Sequence, residues 1–189
     1  MKPRVIPILY SLVLTACQTD VVPADVEEGA AGDEVAVEVL PTPFTAEEIQ
    51  AACMPGTQVV FRIEAQGHPP FRQYMRFSAG DDESATVETW TETLEGAPLG
   101  PRQTQTSAWS ELRDHALLPL GSTRERATHE GVMGPYDGWR YVQPIDDERG
   151  TGQRELWFAD RLPGPPLLVI ETIGGETVSR VEMIARAMP

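Results

Sequence analysis

The side chains of this 189-residue chain that could do chemistry are three histidines, two cysteines, two acidic triplets and a set of large aromatics. His68, His115 and His129 stand in different segments with no partner at metal-ligand spacing, so they read as surface or packing residues. Asp81-Asp82-Glu83 and Asp146-Asp147-Glu148 offer hard oxygen donors, but without the alternating spacing of a calcium loop they read as solvated hairpin tips. A nucleophile elbow, a phosphate-binding glycine loop, a dinucleotide fingerprint, an H-E-x-x-H pair and a C-x-x-C are all absent. No catalytic residue, metal site or cofactor is therefore assigned, and the expectation is a protein that is not an enzyme. Trp90, Trp109, Trp139, Tyr141 and Trp157, joined by Tyr136 and Phe158, form a heavy aromatic load. They either line an apolar cavity or fill the core, and the first five are the candidate ligand-binding residues.

The elements that must position these residues follow from periodicity. Phe44-Thr45-Ala46-Glu47-Glu48-Ile49 is a helix start, with Thr45 and Glu48 as a capping box and Phe44 stapling onto Ile49. That helix runs to about Cys53 and stops before Pro55-Gly56. Alternating, β-rich runs come next at 58–65, 71–79 and 85–94, with a fourth at 102–106. A second helix is expected over 107–118, where Trp109, Leu112, Arg113 and Ala116 fall at helical spacing. Strands return at 124–131, 139–145, 154–159 and 167–173, and Gly174-Gly175 suits a primed turn into a last strand at 176–185. The fold class expected is α+β, mainly one curved antiparallel sheet of about eight or nine strands with two short helices. Residues 44–189 form one domain, large enough to bury a core without disulfides.

Composition narrows the partners. Lys+Arg number 15 against 29 Asp+Glu, a net charge of -14. Nucleic acid and anionic lipid surfaces both call for clustered cations, so neither is expected as a partner. Residues 18–43 carry no Lys, Arg or Trp, while acidic residues alternate with Ala, Gly, Val and Pro. Such a stretch reads as a disordered acidic tether, with an r.m.s. span of about 30 Å as a flexible coil.

The N-terminus supplies the address. Met-Lys-Pro-Arg precedes an uncharged apolar run from Val5 to Ala16, a basic and then a hydrophobic region. Roughly a dozen such residues rise only about 18 Å as a helix, short of a membrane span. The run closes with Leu14-Thr15-Ala16-Cys17, which resembles the lipobox of bacterial lipoproteins. The resemblance implies cleavage after a signal peptide at 1–16, a diacylglyceryl thioether on Cys17 and an acylated amine. Two or three chains anchor a protein stably, at about 0.8 kcal/mol per buried CH₂. Gln18 stands where an aspartate would retain a Gram-negative lipoprotein in the inner membrane, so the resemblance implies an outer-membrane anchor facing the periplasm. With Cys17 consumed by lipid, Cys53 has no intramolecular partner and reads as a buried small hydrophobe at a helix end.

Lipobox, acidic tether, helix, antiparallel meander, helix and further strands together resemble the half-barrel lipoproteins typified by the LolA/LolB carriers. Leu156-Trp157-Phe158-Ala159-Asp160 with Leu162-Pro163-Gly164-Pro165 resembles a late strand and turn of periplasmic β-rich proteins of this build. The resemblance implies a concave apolar sheet, partly lidded by helices, that holds acyl chains. Two functions stay open at this point: a periplasm-facing domain that binds a lipid or other apolar ligand, and an envelope lipoprotein with a solid core that docks a protein partner.

Overall fold

A computed structural model describes residues 39–189, so the signal segment, Cys17 and most of the tether lie outside the described residues. The first helix, α1 (Ala46–Ala52), forms where its capping box predicts. The Glu48 amide donates to Thr45 Oγ1 at 3.2 Å, and the Thr45 amide donates to Glu48 Oε2 at 2.8 Å. Phe44 and Ile49 are both buried at its start, and Cys53 ends it without exposed surface. Burial pushes the Cys53 thiol up to about 11, although Arg186 opposes the shift.

Nine strands follow: β1 (Gln58–Ala65), β2 (Phe71–Gly80), β3 (Ser84–Thr93), β4 (Gln103–Ala108), β5 (Thr123–Gly131), β6 (Gly134–Asp147), β7 (Gly150–Ala159), β8 (Leu168–Ile173) and β9 (Glu176–Ala187). The second helix, α2 (Trp109–Asp114), lies between β4 and β5. The strands make one open sheet in the order β4-β3-β2-β1-β9-β8-β7-β6-β5. Its pairs are antiparallel throughout, and β9 joins the two meanders by pairing with β1 on one side and β8 on the other. The architecture is α+β and half-barrel-like, and the alternation of apolar residues gives the strands one buried face. On β1, Val59, Phe61 and Ile63 are buried while Arg62 between them is exposed; on β2, Phe71, Met75 and Phe77 keep the same period.

Three elements depart from the sequence reading, one of them β7, which starts at Gly150 and not at Arg154. The helix expected over 107–118 is only six residues long, because Ser107 and Ala108 complete β4 opposite Ala85 and Ser84. The Ala108 amide donates to Glu111 Oε2 at 3.0 Å, which starts the helix there. The strand expected from Trp139 begins at Gly134 instead and runs fourteen residues. Prolines bound this long strand without disrupting it. Pro135 pairs only toward β5, since the β6–β7 register starts at Gly138, and Pro144 pairs only toward β7, since the β5–β6 register ends at Val142. A proline without an N–H is tolerated where one side of the strand is open.

The last residues of the expected tether are laid against the domain. The Leu40 amide donates to the Leu118 carbonyl at 3.1 Å, Val39 bridges Pro119, and the Tyr141 hydroxyl donates to the Pro41 carbonyl at 2.7 Å. Tyr141 has no exposed surface, and burial pushes its phenol up to about 12 against the opposing charge of Arg124. A buried hydroxyl without an acceptor costs about 1–3 kcal/mol, so residues 39–43 contribute to the fold.

Candidate binding cavity

The concave face of the sheet does not fill completely. A void of about 80 Å³ lies between the sheet and its cover. A single water needs roughly 10–15 Å³, so the void exceeds what one water fills. The sheet supplies Phe61, Met75, Phe77, Leu156, Phe158, Val169 and Val181. Ile49 of α1, Leu112, His115 and Ala116 in and after α2, and Gly164-Pro165-Pro166 of the β7–β8 connection form the cover.

Each wall has a local cause. The capping box fixes the entry angle of α1 and turns Ile49 inward. At α2, the buried Trp109 ring lies 6.3 Å from Phe77 and donates its N–H to the Asp81 carbonyl at 2.9 Å. The β7–β8 connection is tied to α1 by Arg186, which donates to the Pro163 carbonyl at 3.1 Å and to the Ala52 carbonyl at 2.6 Å. Gly164 passes so close to Cys53 that a Cβ there would meet its sulfur at 3.0 Å, and its φ of +132° is one that side chains rarely adopt.

Charged or titratable side chains reach the lining at only two places, His115 and Arg154. Burial holds the His115 imidazole below its ordinary value, with Glu111 and Asp114 opposing. Arg154 donates to Glu171 Oε1 through Nε at 2.8 Å and Nη2 at 2.5 Å, and Arg149 reaches the other oxygen of Glu171 at 3.3 Å. Glu171 is 3% exposed, so this is a buried carboxylate shared between two guanidinium groups at the edge of an otherwise apolar space.

None of the candidate aromatics read from the sequence lines this void. Trp109 and Tyr141 are packed in the core, Tyr141 edge-on to Phe158 at 5.6 Å. Trp90 stacks on Tyr74 at 4.9 Å, with the Arg102 guanidinium 4.1 Å over its ring. Trp157 meets His129 at 5.1 Å. Trp139 lies under Arg124 at 3.5 Å and Arg126 at 4.7 Å, next to Tyr141 along β6, so of the set only Trp139 and Tyr141 come together. Sequence reasoning missed Ile49, Leu112, His115, Arg154, Val169 and the Pro165-Pro166 pair, because nothing in their spacing marks a shared wall.

The acidic triplets serve as turns. Asp81 accepts the amides of Glu83 at 2.9 Å and Ser84 at 2.8 Å, and these backbone bonds hold its carboxyl below the usual range. Asp147 pairs with Arg149 at 2.7 Å. Among the described residues no group of three or more His, Cys, Asp or Glu is placed to hold a metal ion, and no helix is long and apolar enough to cross a membrane.

No protein-family model matches the chain. No curated protein matches it either. Solved structures with a related chain path include MucB, with a TM-score of 0.48 and 12% identity over 75% of this chain and 57% of that one. A second structure of MucB, in complex with MucA(peri), gives 0.46 and 14% over 74% and 53%. A Bacteroides fragilis protein with a YmcC-like fold gives 0.47 and 9% over 71% and 97%. The chain thus spans little more than half the length of MucB.

Proposed function

We propose that this chain is a cell-envelope lipoprotein, anchored through lipid on Cys17 at the outer membrane, whose periplasm-facing domain takes an acyl chain or similar apolar ligand into the concave cavity. The observation that carries the ligand reading is the void itself: an apolar space partly covered by two helices and a proline-rich connection, with polar side chains confined to His115 and Arg154. Transfer of hydrocarbon into such a space gains about 0.8 kcal/mol per CH₂ removed from water.

The two halves of the proposal are tested separately. Cys17→Ala is expected to abolish lipidation and release the protein from the membrane fraction or leave its signal segment uncleaved. Unchanged membrane partitioning of that variant would sink the anchoring half. Val169→Phe places a larger ring against the void from β8, where aromatic residues are at home. Uptake of a fluorescent polyene fatty acid by the full chain is expected to fall at least tenfold in this variant, with thermal unfolding little changed. Undiminished uptake would remove the cavity from the account.

A further inference from the structure

The tip of the β5–β6 hairpin does more than turn the chain. It reaches across the sheet to β9, where the Val132 amide donates to Glu182 Oε1 at 3.3 Å. His129, on β5, is drawn in with it, its ring 5.1 Å from Trp157 of β7. Its Nε2 has no accessible surface and no hydrogen-bond partner. Beside it is a void of only about 10 Å³, walled by the hairpin tip, Glu182, Leu167 and Met183, with space for one water at most. Leu167 and Met183 are 5% and 2% exposed.

We infer that this hairpin tip is an acid-released flap, in which protonation of His129 frees residues 129–136 from β9 and uncovers the apolar surface at Leu167 and Met183. The physical reason is the state of the imidazole. A buried nitrogen without a partner is tolerable as the neutral acceptor, whereas the protonated ring must place an N–H in the same closed space. Glu182, which faces the imidazole from β9, accepts the Val132 amide on Oε1 at 3.3 Å and Arg180 on Oε2 at 2.9 Å and 3.3 Å. An imidazolium that turned to Glu182 would compete with the bond that docks the tip. The charged groups facing His129 are Glu182 and Arg180 from β9 and its own neighbour Glu130, while Arg140 lies 5.6 Å from the far partner Trp157.

The sign follows from the direction of the shift. Burial holds His129 below the ordinary imidazole value, Glu182 opposing, Arg180 adding and Glu130 opposing. The docked state therefore binds the proton less well than the released state. Docking is at full strength above about pH 6.5 and weakens as pH falls below that value.

Hydrogen exchange of the full chain, read by peptide mass spectrometry at pH 7.5 and 5.5 and corrected for the intrinsic pH dependence, tests this. Protection over 129–136 is expected to drop severalfold at the lower pH. His129→Gln is expected to make the profile flat. A flat profile in the native chain, or an unchanged drop in His129→Gln, would overturn the inference. If that variant does not fold, the imidazole of His129 in the native chain, followed by NMR, decides: titration below the ordinary imidazole value of about 6.5 supports the flap, and titration at or above it refutes it. The outcome is independent of whether the concave cavity takes a ligand.

Discussion

Glu171→Ala is expected to lower the stability of the domain by about 3–5 kcal/mol, the range seen when one partner is removed from a buried ion pair. The carboxylate is almost inaccessible, and Arg154, with only 20% of its side chain exposed, donates to it twice. Removing the acceptor leaves a guanidinium facing the apolar cavity with its main counter-charge gone. Arg149 loses less, because half of it is in solvent and Asp147 still holds it. The cost should therefore sit in Arg154, and a double variant shows whether it does. Glu171→Leu combined with Arg154→Met is expected to recover most of the loss, since an apolar pair of similar volume needs no compensation. Urea unfolding of the three proteins provides the comparison; a single variant within 1 kcal/mol of the native chain would mean that the pair is solvated.

Gly138→Ala is expected to cost about 3 kcal/mol. On β6 this residue sits opposite Ala159 of β7, and a Cβ built on it would lie 1.8 Å from the Phe158 carbonyl oxygen and 2.8 Å from its carbon. Neither atom is the end of a flexible side chain, so the two strands must separate. Because Phe158 lines the cavity and also packs on Phe44 and Tyr141, the disturbance should spread to the binding space as well. Thermal unfolding and fatty-acid uptake measured on the same sample would both fall; an alanine variant with native behaviour in both would show that β6 and β7 are farther apart than this packing requires.

The cases of Gly138 and Glu171 show where sequence reading reaches and where it stops. Thr45 and Glu48 announce α1 because a capping box is a contact between residues three apart. The apolar alternation of β1 and β2 is legible because one buried face imposes a period of two. The first half of β6 is hidden: no apolar alternation runs through Pro135, Asp137 and Gly138, and only the pairing scheme shows that Pro135 faces an open side and that Gly138 is required by β7. Helix α2 shrinks for a similar reason, since helical spacing from Trp109 does not reveal that Ser107 and Ala108 are taken by β3.

The cavity is the least legible feature, and the cause is geometric. Large aromatics attract attention in a sequence, but in a packed interior they are what fills space; Trp109 and Tyr141 are 5% and 0% exposed. A void arises where residues from distant segments are too small or too short to meet, as Val169, Val181, Ala116 and Gly164-Pro165-Pro166 do here. Spacing along the chain carries no record of that shortfall. The resemblance to half-barrel carriers anticipated a concave sheet under two helices, yet it transferred no residue to the lining.

The most direct test of the central claim is native mass spectrometry of the full chain, taken from an envelope fraction in a mild detergent and compared with the Val169→Phe variant prepared alongside. The account predicts a lipid-sized, non-covalent adduct on the native protein that survives detergent removal and is depleted in the variant. A clean mass for both, or an adduct equally abundant in both, would contradict it and leave the concave void as unfilled packing.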